Sequence, residues 1–359
     1  MDCIHYFAAG FAEARAKFRE AALSAGARLV TFAHPGRAPD GGDLSCDVAL
    51  IGHPAARRVL LANSATHGVE GFCGSGAMVG WLRSGGAERL PAGVRAVLVH
   101  AINPHGFAWL RRVTEDNVDL NRNFIDHTQP RPENPDYAAM ADWIVPPAWD
   151  PPTLAERARV LDAYKARHGA FALQSAISAG QYSHPDGVFF GGHRPTWSNL
   201  TFRRIIAELV APADHVGFID FHTGLGPYGT AELIAGADPE GLRRVIDWYT
   251  NNVTAPELGN SSSPSLSGVI KNAVTGMLPD AVITSMTAEY GTYPAPVVLD
   301  AVCADAWLHR RGDLDSPLGR ELKARMRKAF YPDEDDWKEL VWVRARQLLA
   351  RAAAGLARA

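Results

Sequence analysis

Short runs of β-branched and aliphatic residues alternate with longer helical patterns through most of the chain, and this alternation constrains the fold more than any other feature. Candidate strands lie at 28–34, 46–52, 58–65, 95–103, 215–222, 231–236 and 281–289. Candidate helices lie at about 6–26, 72–84, 154–168, 198–210, 239–252, 295–310 and 334–355. Several strands are apolar on both faces, as a sheet covered by helices on both sides requires. The pattern therefore predicts an α/β fold, a three-layer α/β/α sandwich with a central mixed, largely parallel sheet.

One proline-rich stretch interrupts this alternation. Residues 126–152 read DHTQPRPENPDYAAMADWIVPPAWDPP and contain seven prolines, which disfavour regular helix and central strand. A long irregular excursion is predicted here, either a lid or binding loop or a surface insertion without a role. The predicted organisation is a single catalytic domain over 1–359, with a lid or insertion at about 125–197 and a C-terminal helix at about 334–355.

Composition argues against several classes of partner. The 36 basic and 39 acidic residues give a formal net charge of -3, which favours neither nucleic acid nor an anionic membrane. No apolar run is long enough to span a bilayer, and the charged N-terminal residues are not typical of a signal peptide. Scattered cysteines at positions 3, 46, 73 and 303 are interpreted as reduced, buried thiols. A cytoplasmic location is expected, and the oligomeric state is left open.

Polar residues with metal-binding chemistry stand at the predicted ends of three strands. His67 and Glu70 lie in the turn of LLANSATHGVEGFCGSG at H-x-x-E spacing, and imidazole nitrogen and carboxylate oxygen are both good zinc ligands. The spacing alone is weak, because a surface histidine beside a solvated glutamate would produce it too. His222 ends the strand of FIDFHTGLG, where a lone histidine is usually a buried, hydrogen-bonded residue. Glu289 ends the strand of MTAEYGTYP, where a carboxylate is costly unless it is paired, metal-bound or catalytic.

A fourth polar segment, AINPHGFAWLRRVTEDNVDLNRNF, begins where the strand before it should end. It brings Asp119, Asn121 and Arg122 close to the basic pair Arg111 and Arg112. A guanidinium beside an amide suits the binding of a carboxylate, although a merely polar turn is the simpler interpretation. All four segments fall at carboxyl ends of strands, and this edge is where open α/β sheets bind ligands.

Taken in order, these motifs resemble the zinc carboxypeptidase A-type metallopeptidases. The matching sequence consists of H-x-x-E at His67 and Glu70, then NP-x-GF, DLNRNF, the strand-terminal His222 and finally Glu289. The branch that the chain resembles most is the desuccinylase/aspartoacylase-like one, including its uncharacterised bacterial members. The resemblance runs from about residue 58 to 293 and so covers most of the chain.

The resemblance implies a zinc-dependent hydrolase of amide bonds with one Zn²⁺ per chain. His67, Glu70 and His222 would hold the metal, and Glu289 would be the general base that activates water and then protonates the leaving amine. Asp119 would orient the imidazole of His67, since metal-binding histidines usually need such a partner.

The resemblance also implies how the substrate binds. Asn121 and Arg122 would bind a free carboxylate of a small molecule or peptide, and Arg112 or its neighbour Arg111 would polarise the scissile carbonyl. Two other functions stay open: a catalytically idle binding module on the same fold, and a serine hydrolase that uses Ser75 of CGSGA. The serine motif lacks the glycine that a nucleophile elbow needs two residues before the serine.

The chain departs from the carboxypeptidases in three places. One is His105 of the NP-x-G motif, where the peptidases have Asp. Those enzymes carry a mobile tyrosine about twenty residues before the catalytic glutamate, whereas this chain has no tyrosine between Tyr249 and Tyr290. The 125–197 insertion has no clear counterpart in the short peptidase domain. These departures argue against ordinary trimming of peptide C-termini and leave room for small N-acyl amino acids or unusual amides. The choice between peptidase and deacylase stays open, as do the acyl group and the amino acid.

Overall fold

A sheet of eight strands runs through the centre of the molecule. The computed structural model describes residues 3–236, 238–250 and 252–359. Its strands are β1 (Arg28–Arg37), β2 (Asp43–Ile51), β3 (Arg58–Asn63), β4 (Val94–His100), β5 (His215–Tyr228), β6 (Ala231–Ala235), β7 (Val253–Thr254) and β8 (Val282–Gly291). Apart from the two-residue β7, each strand corresponds to one predicted from the sequence.

Twelve α-helices are assigned within these residues. They are α1 (Phe11–Ser24), α2 (Gly71–Arg83), α3 (Pro104–Ala108), α4 (Pro135–Ile144), α5 (Pro151–His168), α6 (Ala170–Ser178), α7 (Trp197–Ile205), α8 (Pro239–Tyr249), α9 (Ile270–Met277), α10 (Ala295–Arg311), α11 (Pro317–Phe330) and α12 (Asp335–Arg358). None of the helices in these ranges is long and apolar enough to cross a membrane.

The strand order is β1-β2-β4-β3-β5-β8-β6-β7. The four central strands β4, β3, β5 and β8 are parallel, and β1, β2 and β6 join the sheet antiparallel to their inner neighbours. Helices cover both sides, so the predicted α/β/α sandwich with a mixed, largely parallel sheet is confirmed. The carboxyl ends of β3, β5 and β8 therefore lie side by side.

Successive residues of a strand point to opposite sides of the sheet. Because the central strands are apolar at consecutive positions, both faces of the sheet are apolar. Leu60 packs in one cluster with residues of α1, α2, α8 and α12, whereas Leu61 packs in another with residues of α7 and α9. The same split separates Phe221 from Phe218 on β5. Burial on two sides holds the central strands rigidly and fixes where their ends lie.

The proline-rich stretch is more regular than predicted. The sequence predicts irregular backbone over 126–152, but α4 occupies residues 135–144. Pro135 stands at the first helical position, where its missing N–H would have no partner in the helix, and the Asn134 side chain caps the helix by accepting from the Tyr137 N–H. The prolines therefore begin helices here, as they also do in α5.

Some helix limits also differ from the prediction. The helix predicted over 6–26 begins at Phe11, because a separate 3₁₀ turn occupies Ile4–Tyr6. The helix predicted over 239–252 ends at Tyr249, and its residue 251 lies outside the described residues. The short α9 and the amphipathic α11 were not predicted at all.

Candidate metal centre

The loop after β3 carries His67 and Glu70 into the site. His67 precedes a single 3₁₀ turn that ends at Glu70, and α2 follows at once. Gly68 lies directly against the backbone of α3, where an added Cβ would stand 2.0 Å from the carbonyl carbon of Gly106. Any larger residue at position 68 would push the loop away from α3, so this glycine fixes the position of both metal-binding candidates.

His222 reaches the same point from the neighbouring strand β5. Its Nδ1 lies 3.1 Å from the Nδ1 of His67 and 2.9 Å from Glu70 Oε2, while His67 Nδ1 lies 2.9 Å from Glu70 Oε1. The three side chains are buried, and one ligand atom from each falls within 4.8 Å of the others. The three predicted metal ligands thus converge on one point.

The second ring nitrogen of each histidine is held by a carboxylate. His67 Nε2 lies 3.1 Å from Asp119 Oδ1, and His222 Nε2 lies 2.6 Å from Asp220 Oδ2. A histidine that donates from Nε2 to a carboxylate presents the lone pair of Nδ1, and such partners orient metal-binding imidazoles. In that tautomer both Nδ1 atoms present a lone pair to the shared point. Arg112 Nη2 also lies 2.8 Å from His67 Nε2.

Asp220 was missed by the sequence analysis. It is fully buried, and its Oδ1 accepts hydrogen bonds of 2.8 Å from Asn63 and Thr66 at the end of β3. The signal was available, because Asp220 precedes His222 by two residues on one strand and so points to the same face of the sheet.

The electrostatics of these groups are set by their mutual contact. Burial acts to raise the pKa of Glu70, but His67 and His222 together hold it well below its usual range. Burial acts to lower the pKa of His222, but Asp220 and Glu70 raise it well above its usual value. Without a cation the cluster therefore retains a proton, and a metal that bound here would displace it.

Glu289 stands at the end of β8, where it is the register partner of His222 on β5. Its side chain is buried, and its Oε1 accepts a hydrogen bond of 3.0 Å from the backbone N–H of Leu225. Burial, followed by the negative charge of Glu70, raises the pKa of Glu289 to about 7. A carboxyl group with such a pKa exchanges protons readily near neutral pH.

The structure distinguishes the two neighbouring arginines. Arg112 lines the cavity beside the histidines, donating from Nε to Asp119 at 2.9 Å and from Nη1 to Glu70 at 3.2 Å. Arg111 points elsewhere and forms a buried salt bridge of 3.1 Å with Asp305 on α10. Of the pair, only Arg112 faces the candidate site.

Asn121 and Arg122 also line the cavity, but both already have partners. Asn121 Oδ1 accepts from the backbone N–H of Ile270 at 3.0 Å, which leaves its amide nitrogen without a partner among the described residues. Arg122 donates from Nε to the carbonyl of Ala179 at 3.1 Å and from Nη2 to that of Ser178. Its guanidinium thus caps the end of α6 and still retains N–H groups for a ligand.

A cavity of about 890 Å³ opens in front of these groups. The insertion forms much of its wall through α5 and α6, and α10 adds apolar residues. Phe189, from the same insertion, lies over both Arg112 and Arg122, with the guanidinium carbons 5.0 and 5.7 Å from the ring centre. Its backbone φ of +54° is unusual for a bulky residue, and such conformations persist where the surroundings enforce them.

Lys271 is a further cavity residue that sequence analysis missed. It lies at the start of α9, within the segment NSSSPSLSGVIKNAVTG that lacks the carboxypeptidase tyrosine. Nothing in the sequence marks it, because only the packing of α9 against β8 turns this lysine toward the cavity that holds Glu289.

The profile of one protein family matches residues 7–344, which is most of the chain. The chain belongs to DUF2817. That family carries the description "protein of unknown function". No curated protein matches this DUF2817 chain.

Solved structures resemble this DUF2817 protein over most of its length. Thrombin activatable fibrinolysis inhibitor has 10% identity and a TM-score of 0.51, with 97% of this chain and 74% of that chain covered, which indicates a shared fold. Carboxypeptidase A from Helicoverpa armigera has 16% identity and a TM-score of 0.45, with 91% and 75% covered. A succinylglutamate desuccinylase from Silicibacter sp. TM1040 has 16% identity and a TM-score of 0.41, with 80% and 67% covered. A carboxypeptidase and a desuccinylase are thus among the structures that the chain resembles.

Proposed function

We propose that this DUF2817 protein is a zinc-dependent hydrolase of an amide bond, in a peptide or an N-acyl amino acid, next to a free carboxylate. One observation carries the proposal. His67, Glu70 and His222 offer ligand atoms within 4.8 Å of one another, and Glu289 lies in the same cavity. A structural metal site would have a closed ligand shell, whereas this cluster opens onto a cavity of substrate size.

The donor set fits zinc. Two imidazole nitrogens and one carboxylate oxygen form a ligand set that catalytic zinc sites use, and Asp119 and Asp220 lie where they would orient the two histidines for a metal. When bound, Zn²⁺ acts as a Lewis acid that polarises a carbonyl oxygen and makes water more acidic. We propose one Zn²⁺ per chain, held by His67, Glu70 and His222.

Glu289 is proposed to move the proton. Its carboxylate, held at Oε1 by the backbone N–H of Leu225, takes a proton from the attacking water and passes it to the leaving nitrogen. Burial raises the pKa of Glu289 toward the working pH, and this suits a group that must both accept and release a proton.

The cationic side chains are proposed to orient the substrate. Arg112 stabilises the negative charge that develops on the scissile carbonyl oxygen, and Arg111 has no part in this because it faces away. The amide nitrogen of Asn121 and the remaining N–H groups of Arg122 bind the free carboxylate. The lid or insertion predicted at 125–197 supplies the opposite wall and positions Arg122.

The alternatives receive little support. Ser75 Oγ lies 3.0 Å from His100 Nε2, but both residues are buried in the core and neither lines the cavity. A substrate has no access to that pair, so a serine hydrolase is disfavoured. An idle binding module would be expected to have lost a ligand or the base, and here His67, Glu70, His222 and Glu289 are all present.

The experiment combines metal removal with a change at the substrate carboxylate. The best substrate from a panel of N-benzoyl amino acids is compared with its α-carboxamide. We expect chelation to abolish hydrolysis, Zn²⁺ to restore it, and amidation to lower kcat/KM by ~100-fold or more because the charged contacts to Arg122 are lost. Arg122→Ala should process acid and amide about equally poorly.

Two results would contradict the proposal in different ways. Hydrolysis that survives complete chelation would exclude the metal. Equal turnover of acid and amide by the wild-type protein would mean that Arg122 only caps α6, and that the enzyme is an amidase indifferent to the carboxylate.

A further inference from the structure

One side of the cavity is apolar, and its surface begins beside the candidate metal centre. Gly224 follows His222 by two residues, and a Cβ added to it would stand 3.2 Å from the ring of Phe330 and 3.5 Å from Val298. From there apolar side chains of α5, α6 and α10 continue the wall; they are Leu161, Leu173, Ile177, Leu299 and Val302. All of these side chains belong to one hydrophobic cluster or pack against it. They therefore form a continuous apolar surface, named here the apolar wall.

The polar side chains next to the apolar wall are engaged within the protein. The hydroxyls of Thr223 and Ser178 each donate to a backbone carbonyl at 2.7 Å, and Gln174 donates from Nε2 to the carbonyl of Ser262 at 3.0 Å. A peptide that extended along this surface would bury amide groups with few partners, at a considerable cost in free energy. A hydrocarbon chain needs no such partners, so the wall favours a hydrocarbon.

The charged side chains of this side lie at its outer end. Arg157 of α5 donates to Asp300 of α10 at 2.7 Å, and Arg325 of α11 contacts the same carboxylate. Asp162 and Lys165 of α5 are exposed to solvent. These charges are paired with one another or hydrated, so they do not require a charged group on the ligand.

The other side of the cavity is polar. It contains the proposed carboxylate clamp, Asn121 and Arg122, and the start of α9 is joined to that clamp because Ile270 donates to Asn121. Lys271 and Glu257 line the same side, and Glu257 is the carboxylate that acts most strongly on the charge of Lys271. An amino acid held by the clamp would leave the apolar wall to the acyl group on the far side of the scissile bond.

The apolar wall reaches the surface of the molecule. Phe171 and Val297 line the cavity and are nevertheless 57% and 45% exposed, and large apolar side chains exposed together often mark a binding site for an apolar ligand. The nine residues of α6 extend about 13 Å, from Phe171 near the outer end to Ser178, whose carbonyl accepts from Arg122. This length is more than an acetyl group could fill.

We propose that the acyl group of the substrate is a medium- or long-chain fatty acyl group, whose hydrocarbon lies along the apolar wall with its carbonyl at the candidate metal centre. Hydrolysis would add water across the C–N bond and yield a fatty carboxylate and a free amino acid, whose amine takes up the proton. The inference rests on the proposed function, since it assumes that the amino acid is bound by Asn121 and Arg122.

The test uses N-acetyl, N-butanoyl, N-octanoyl and N-dodecanoyl derivatives of one amino acid, below their aggregation concentrations. We expect kcat/KM to rise by ~2- to 4-fold for each added methylene up to the octanoyl compound, because burial of a methylene contributes about this factor. The N-acetyldiglycyl derivative has as many main-chain atoms as the octanoyl compound and is uncharged there. It should be used at least ~10-fold less well, because its amide groups lose their hydration.

A matched pair of variants on α5 locates the effect. Leu161→Asn places a polar group on the apolar wall and should lower the ratio of kcat/KM for the dodecanoyl and acetyl compounds by ~5- to 20-fold. Leu154→Asn makes the same change on the same helix at a half-buried position outside the cavity, and it should leave the ratio unchanged. Three results would overturn the inference: an octanoyl compound used no better than the acetyl one, an acetyldiglycyl compound used as well as the octanoyl one, or a ratio that Leu161→Asn does not alter.

Binding of free dodecanoate and butanoate, measured by calorimetry on the wild type and both variants, gives a readout that needs no turnover. We expect dodecanoate to bind more tightly than butanoate, and Leu161→Asn alone to weaken it. If none of the acyl amino acids is hydrolysed, the proposed function fails, and these affinities still decide whether the apolar wall binds a hydrocarbon chain. Equal binding of dodecanoate by all three proteins would overturn the inference, because the chain would then bind elsewhere.

Discussion

The two walls of the cavity are built in different ways. On the sheet side, the side chains of His67, Glu70 and His222 are at most 5% exposed, and every one is held by at least one further polar group. On the insertion side, every residue of α5 is at least partly exposed, and Phe171 of α6 is 57% exposed although it lines the cavity.

This difference assigns the catalytic chemistry to the sheet side and the selection of substrate to the insertion side. A metal centre requires fixed geometry, because a small displacement of a ligand or of the base lowers the reaction rate strongly. The strand ends supply this fixed geometry. A wall with few buried residues can adjust to different acyl groups, since its local free energy of unfolding is lower. We therefore expect changes on the sheet side to affect metal and turnover, and changes on the insertion side to affect which substrate is bound.

The largest effects are expected from two substitutions on the sheet side. His222→Ala removes a proposed ligand and the group that Asp220 holds, so metal binding and activity should both be lost. Glu289→Gln keeps a side chain of nearly the same shape, so it should retain the metal while kcat falls by ~100-fold or more. Metal content by elemental analysis, measured beside kcat, separates the two outcomes.

Thermal unfolding of each variant, recorded in the presence of chelator, shows whether the substitution leaves the protein folded. Full zinc occupancy in His222→Ala would show that the site is assigned wrongly. Near-normal turnover in Glu289→Gln would show that another group takes the proton.

A smaller effect is expected from the carboxylate behind His222. Asp220→Asn removes the charge that orients the imidazole, and the change should weaken zinc affinity by ~10- to 100-fold without abolishing binding. Competition with a chromophoric chelator measures the affinity. Asp214→Asn, an exposed aspartate just before the same strand, is the matched control and should leave it unchanged. If both substitutions behave alike, Asp220 has no special role in orienting His222.

The metal-binding candidates could be predicted because the apolar strands and the polar residues at their ends are recognisable locally in the sequence. His67, His222 and Glu289 each follow an apolar run, and the parallel pairing of β3, β5 and β8 brings the ends of those runs together. Asp220 could have been added by the two-residue period of a strand.

The residues of the substrate side could not be predicted in this way. Lys271 and Phe189 reach the cavity only because α9 and the insertion fold back over the sheet, and such placement depends on contacts distant in sequence. The proline pattern also misled the prediction over 126–152, because Pro135 begins a helix instead of excluding one. Arg111 and Arg112 looked equivalent in the sequence, and the partner of Arg111 lies far along the chain at Asp305.

The smallest effect is expected on the insertion side, at Phe171. This ring is half exposed on the cavity wall, so contact with an apolar acyl group would bury the remainder, a contribution of about 1 kcal/mol. Phe171→Ala should therefore raise KM for an N-benzoyl substrate by ~3- to 10-fold, with little change for the N-acetyl analogue and none in zinc content. Leu23→Ala, which truncates a similarly exposed apolar side chain on α1 away from the cavity, should change neither KM.

A Phe171→Ala variant that lowered kcat equally on both substrates, or lost zinc, would contradict the separation of the two walls. The insertion would then have to act on the chemistry itself, most directly through Arg122, whose guanidinium caps the helix that carries Phe171.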